Sequence, residues 1–262
     1  MKIITFLTDF DMKDGYVAQM KGVVSSIVDS KFVDITHDIT PHDVREGAFI
    51  LQSSVAYFPV GTVHIAVVDP GVGTARRGII VATRSQILIG PDNGLLMPTA
   101  HSLGDFIVYE ITNDKYMLNS ISNTFHGRDI FSPVAAHIIN GILFEEIGSR
   151  IYNFVDLNFG KGKISDSVAA GKIIYIDRFG NIVTNIEGNF LREILDYGTK
   201  IAVFIGDKQQ DITFAKSYNF VKKGHILVTL NSNNLIEIAV NQGNAARKLA
   251  ANLDDDVKVI FK

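Results

Sequence analysis

The chain has 262 residues, 47% of them hydrophobic and 20% charged, with a formal net charge of −3. That balance describes a globular protein with enough apolar residues for a sizeable core, in one large or two unequal domains, and excludes a mainly disordered chain. With no cysteine, disulfides, thiolate nucleophiles and Cys-based metal sites are excluded, and with no block of Lys and Arg a nucleic-acid partner is not expected.

KIITFLT (2–8) is an apolar, β-branched run that reads as a strand, TDFDMKDG turns, and 15–29 carries apolar residues at helical spacing. A second strand is predicted at 32–36 and a second helix at 43–58, with the Asp43 carboxylate at its positive end. Strands follow at 62–69, 78–83, 86–90 and 105–111, then a helix at 128–142, in whose first turn Pro133 fits. Strands alternating with helices imply an α/β layer around a largely parallel sheet. Residues 143–167 are loop-rich, which puts a domain boundary near 160. Beyond it, short β-runs separated by Gly and Asn turns predict a small antiparallel sheet or barrel, with NQGNAARKLAAN as a short helix or a loop. The first apolar run is too short for a secretory signal and none reaches membrane-spanning length, so a cytoplasmic protein without membrane association is expected.

The stretch VVDPGVGTARRG (67–78) invites a phosphate-loop reading that its spacing does not support. Arg76 stands where the third dinucleotide glycine belongs, and Ile79 and Ile80 replace the Walker lysine and hydroxyl. A plain turn and a site then remain. Asp9 and Asp69 both follow predicted parallel strands, where open sheets bind ligands. His126, Arg128 and Asp129 precede a helix, as capping and charge partners or as functional groups. Gly180 and Asn181 suit a hairpin turn, and the amides of 230–246 suit turns or a polar ligand. No HExxH or other compact metal-ligand spacing joins His37, Asp38, His42, Asp69, His126 and His137, and no GxSxG elbow is present. Arg77 reads as an ordinary surface residue.

Together LTDFDMKDGYVAQMKG, DITPHDVREGA, VVDPGVGTARRGI, GPDNGLL, FHGRDIFSPVAA, IDRFGNIVTNI and NQGNAA resemble, in order, the S-adenosylmethionine hydrolases, also called S-adenosylmethionine hydroxide adenosyltransferases, relatives of the fluorinating and chlorinating enzymes. The resemblance implies an N-terminal α/β domain (1–160) with the catalytic residues and a C-terminal β-barrel (161–262) with methionine and adenine contacts. It implies a homotrimer with active sites between neighbouring subunits, S-adenosyl-L-methionine as substrate, and neither cofactor nor metal. Water would attack ribose C5′, releasing adenosine and L-methionine, with Asp69, Arg76 and His126 around it. Asp9 takes the family position for the ribose diol, Asp177 that for the methionine ammonium with Asn181 nearby, and Ser232 one near the methionine carboxylate. Backbone groups of 241–244 would read the adenine edge. Asn233 replaces a basic residue of the halogenating relatives, His42 replaces their tryptophan, and Asp11 replaces the glycine of the family's TDFG. The alternatives are an S-adenosylmethionine or nucleoside binder without turnover, a halogenase, and a metal-dependent phosphohydrolase.

Overall fold

The computed structural model describes residues 2–261. They form two compact units, one ending at Asn158 and the other beginning at Phe159.

In the first unit, strand β1 (Ile3–Thr8) is buried at every residue, because helices cover both of its faces. Ile4 and Phe6 join a cluster with Met20 and Val24 of α1 (Tyr16–Ile27) and Val134 and Ala135 of α4 (Ser132–Ile139). Leu7 points the other way, towards Gly47 of α2 (Val44–Val55), where Leu95 and Val68 also close in. Helix α2 starts at Asp43, whose side chain accepts the Glu46 amide at 2.9 Å and occupies one orphan donor of the first turn.

The sheet continues with β2 (Lys31–Thr36), β3 (Val63–Val67), β4 (Gly78–Thr83), β5 (Ile87–Pro91), β6 (Phe106–Glu110) and β7 (Arg150–Ile151), in the order β2-β1-β3-β5-β4-β6-β7. The β1–β2, β1–β3 and β3–β5 pairs are parallel, and β4 and β7 run against the rest, giving the mostly parallel α/β sheet expected.

The helix predicted from 128 begins differently: residues Gly127–Phe131 form a π-turn, and regular helix starts only at Ser132, with Pro133 in its first turn. A π-turn reorients the side chains before it, a recurrent feature next to functional sites. Helix α3 (Met97–Leu103) lies outside the predicted elements, since MPTAHSL is too short to show an apolar period.

The second unit is a β-barrel. Strands β9 (Val168–Ile176), β10 (Ile182–Glu187), β11 (Lys200–Ile205), β12 (Lys208–Phe214), β13 (Ile226–Leu230), β14 (Leu235–Val240) and β15 (Asp256–Ile260) close into a ring through the β9–β10 pair, and β8 (Lys163–Ile164) is added outside β9. All neighbours in the ring are antiparallel except β12 and β13. Inward residues such as Ile173, Val203, Phe214, Ile238 and Val259 fill it. The segment NQGNAARKLAAN contributes a single-turn helix, Ala245–Leu249. Among the described residues no helix is long and apolar enough to cross a membrane.

Candidate active site

The parallel strands β1 and β3 end side by side, Thr8 paired with Val67. Asp9 and Asp69 leave the sheet there and line one cleft of about 290 Å³, together with His42 and His126. Apolar walls come from Phe10, Tyr16 and Phe125, whose rings meet edge to face or tilted at 5.1–5.8 Å. The lining combines a few convergent polar groups with aromatic surface, as small-molecule sites do.

Behind this cleft Arg76 gathers the charges. Its Nε donates to Asp69 Oδ1 at 3.1 Å, its Nη2 donates to Asp69 Oδ2, and Nη1 donates to the Arg77 carbonyl at 3.0 Å. Nη2 also lies 3.0 Å from His126 Nδ1. A guanidinium can only donate, so Nδ1 is the acceptor and the imidazole proton sits on Nε2. Burial and then the Arg76 charge hold His126 below its ordinary value, with Asp69 and Asp129 opposing, so the ring is neutral at neutral pH. The Arg76 guanidinium also stands 5.5 Å from the Phe131 ring centre.

Gly73 explains how the two chain segments come together. It has φ +76°, and a Cβ there would fall 2.2 Å from the Asn123 carbonyl, three residues before His126. Only glycine permits both the left-handed turn and this backbone approach. Arg77, expected at an ordinary surface, instead donates to Asp92 at 2.6 and 2.9 Å and to the Asn153 carbonyl at 2.7 Å. Asp129 is more than a helix-end charge: fully buried, it accepts from Arg128 Nε at 2.6 Å and from the Ser122 amide at 2.7 Å.

Asp9 Oδ2 accepts the His42 amide at 2.9 Å, and His42 adopts φ +70° to present that donor. Asp11, where the resemblance expects glycine, also takes the left-handed conformation, φ +56°. Aspartate tolerates this region better than most residues, so the turn survives the exchange.

A second cavity, of about 460 Å³, lies in the barrel unit. Asp177, Phe179, Asn181, Tyr218 and the chain at 240–243 line it. Asp177 closes the hairpin between β9 and β10, accepting from the Phe179 and Asn181 amides and from Asn181 Nδ2 at 2.8–2.9 Å. Gly180, at φ +83°, passes so close to Asn244 that a Cβ would overlap its amide at 2.1 Å. Glu237, almost fully buried, accepts the Tyr218 hydroxyl at 2.8 Å, and burial raises its carboxyl above the ordinary range.

Asp9, Asp69 and His126 therefore share one cleft with Arg76 behind them, and Asp177 and Asn181 share another cavity. Ser232 and Asn233 line neither. They are exposed in the turn before β14, whereas the cavity-lining chain follows that strand. Sequence reading missed the aromatic wall of Phe10, Tyr16 and Phe125, although each lies next to or within a motif. Among the described residues no three His, Asp or Glu side chains gather to hold a metal ion.

Two family descriptions match the chain: the SAM hydroxide adenosyltransferase N-terminal domain over residues 4–148 and its C-terminal domain over 171–258. A protein of Methanocaldococcus jannaschii named (R)-S-adenosyl-L-methionine hydrolase is 35% identical, over all of this chain and 97% of its own length. A protein of Nocardia brasiliensis named fluorinase is 28% identical over 98% of the chain and 97% of its own. The crystal structure of an uncharacterized conserved protein from Thermotoga maritima superposes with a TM-score of 0.91 at 36% identity, covering 98% of this chain and all of that one. With both domain descriptions matched in chain order and a full-length relative above a third identical, the chain belongs to the SAM hydroxide adenosyltransferase family.

Proposed function

We propose that the protein hydrolyses S-adenosyl-L-methionine to adenosine and L-methionine, by attack of water on ribose C5′. The observation that carries this reading is the meeting of Asp69, Arg76 and His126 at the cleft that also holds Asp9, in a chain of this family. A ligand-binding protein without turnover has no need of such a trio.

The chemistry asks little of the leaving group. As the O–C5′ bond forms, the C5′–S electron pair returns to sulfur and the sulfonium departs as a neutral thioether, so no general acid is required. The difficulty is the nucleophile, which must be aligned behind C5′ and relieved of a proton. Each Asp69 oxygen that accepts one guanidinium N–H keeps a second lone pair, and we assign the proton to Asp69. His126, neutral with its proton on Nε2, is the donor that orients the water oxygen, and Arg76 holds both groups in place. A carboxylate at this position also repels a halide by several kcal/mol in a dry site, which favours water over halide as nucleophile.

In the same reading Asp9 takes the ribose diol with the lone pairs left free by the His42 amide. Asp177 and Asn181 take the methionine ammonium, Ser232 and Asn233 its carboxylate, and the backbone near Asn241 the adenine edge. The reading includes, as the family resemblance implies, a homotrimer in which neighbouring subunits complete each site. No step of this reading uses a cofactor or metal.

The test is incubation of the protein with S-adenosylmethionine, each sulfonium epimer supplied separately because the relatives' names specify the (R) form, followed by chromatography. Adenosine and L-methionine in equal amounts are expected. Binding without adenosine, a 5′-halogenated nucleoside formed in the presence of halide, or activity abolished by chelator would overturn the reading.

A further inference from the structure

Strand β1 ends in Thr8, whose side chain is fully buried, one residue before Asp9. The Thr8 hydroxyl oxygen lies 2.8 Å from His37 Nδ1 and accepts the Phe10 amide at 3.2 Å, bridging across Asp9. On its far side the His37 ring meets Asp34, Nε2 to Oδ1 at 3.0 Å, and Asp34 Oδ2 is 2.6 Å from Lys21 Nζ. The His37 carbonyl accepts the Asp11 amide at 2.8 Å. One residue therefore holds the chain on both sides of Asp9, by its ring through Thr8 and by its own backbone.

Burial works to raise the Asp34 carboxyl, but Lys21 and His37 hold it below the ordinary value, so it is an acceptor. It faces the His37 ring across 3.0 Å without a directed Nε2 hydrogen bond, while Nδ1 and the Thr8 hydroxyl share one proton between them. Thr8 also offers a lone pair to the Phe10 amide and fixes the peptide that follows Asp9. His37 is only 6% exposed and lies outside the cleft lining, so it acts on a ligand only through its neighbours.

We propose that His37 is a positioning residue that aims the Asp9 carboxylate at the two hydroxyls of the ribose through Thr8 and the 9–11 loop. This rests on the assignment of Asp9 to the ribose diol made above. A histidine serving only the core would support the fold without distinguishing one nucleoside from another.

The test measures binding of adenosine and of 2′,3′-dideoxyadenosine by titration calorimetry to the full-length protein, alongside thermal unfolding. The wild-type protein should favour adenosine by about tenfold or more, the size of a hydrogen bond to a charged group. Asp9→Ala should abolish that preference. His37→Ala and Thr8→Val should each reduce it several-fold, while His37→Asn and Thr8→Ser, which restore a hydrogen-bond partner for Thr8 and the hydroxyl, should recover most of it. Thr8→Val is nearly isosteric and tests the relay should His37→Ala fail to fold. If Asp9→Ala abolishes the preference but His37→Ala and Thr8→Val leave it intact, the positioning role is wrong and the Asp9 assignment stands. If Asp9→Ala leaves the preference unchanged, or adenosine is not preferred at all, both are wrong.

Discussion

Arg76 Nη2 and His126 Nδ1 lie 3.0 Å apart, joining residues separated by 50 positions of sequence. That contact makes the imidazole a hydrogen-bond acceptor towards the guanidinium and places its only proton on Nε2. Protonating Nδ1 would set two donors against each other. Burial and the Arg76 charge therefore both favour the neutral ring.

The His126 titration midpoint, followed through the ring protons by NMR, should accordingly fall below 6.5 in the wild-type protein and rise in Arg76→Leu. On the acid side kcat/KM should decline as the ring charges, and it should be flat across neutral pH. A midpoint at or above 6.5, unmoved by the Arg76 change, would contradict the hydrogen-bond assignment.

Asp69 and Asp9 line the same cleft but are given separate tasks, one on the water and one on the substrate. Asp69→Asn preserves the side-chain shape and removes the base, so kcat should fall by about 10²-fold or more with KM within a few-fold. Asp9→Ala should instead raise KM. Arg76→Ala should cost stability as well as rate, by roughly 3 kcal/mol, because it strands an aspartate whose side chain is 4% exposed. Equal losses of affinity and rate in Asp69→Asn would argue for a binding role only.

Much of the fold was legible because its signals are local. β1 is apolar on both faces and reads as a buried parallel strand, and the strand-end rule singles out Asp9 and Asp69 directly. What could not be read is what depends on distant neighbours. The Arg76–His126 contact, the partners of Arg77 and the close passage of Gly73 by Asn123 all join segments that no periodicity relates. The π-turn at 127–131 escaped for a similar reason: nothing in GRDIF distinguishes a π-turn from the first turn of an α-helix, and the buried Asp129 pulled onto Arg128 and the Ser122 amide accompanies the altered turn. The amides of 230–246 looked like one group in sequence, yet a strand separates Ser232 and Asn233 from the cavity-lining Asn241.

His64 shows another buried polar group that sequence could not interpret. In β3, one residue after its start, it is fully buried, 2.7 Å from Thr5 Oγ1 and 3.0 Å from Gln86 Oε1, and burial pushes it down from 6.5 to about 4, against the pull of Gln86. The folded-state value is depressed, so the neutral ring's contribution is present in full above about pH 6.5 and is lost as pH falls towards about 4. At about 1.4 kcal/mol per unit, the loss is on the order of 3 kcal/mol. Urea midpoints measured between pH 7 and 4 should fall accordingly, and His64→Leu, although less stable at pH 7, should show a shallower slope. An unchanged slope in that variant would place the acid sensitivity elsewhere.

Gly73 links the turn bearing Arg76 to the loop bearing His126, so its replacement tests whether the catalytic geometry depends on that backbone approach. In Gly73→Ala the new Cβ would meet the Asn123 carbonyl at 2.2 Å, and alanine is also disfavoured at φ +76°. The strain should cost about 1–3 kcal/mol and be relieved by parting the two segments. Since Arg76 and His126 move with them, kcat should fall by more than the change in stability accounts for, even at temperatures where the variant is fully folded. Gly61→Ala provides the control: its φ is +84°, but no atom lies within 4 Å of the added Cβ. It should lose stability by a similar backbone penalty and keep its kcat. Equal retention of kcat in both variants would show that the Gly73 contact supports the fold alone.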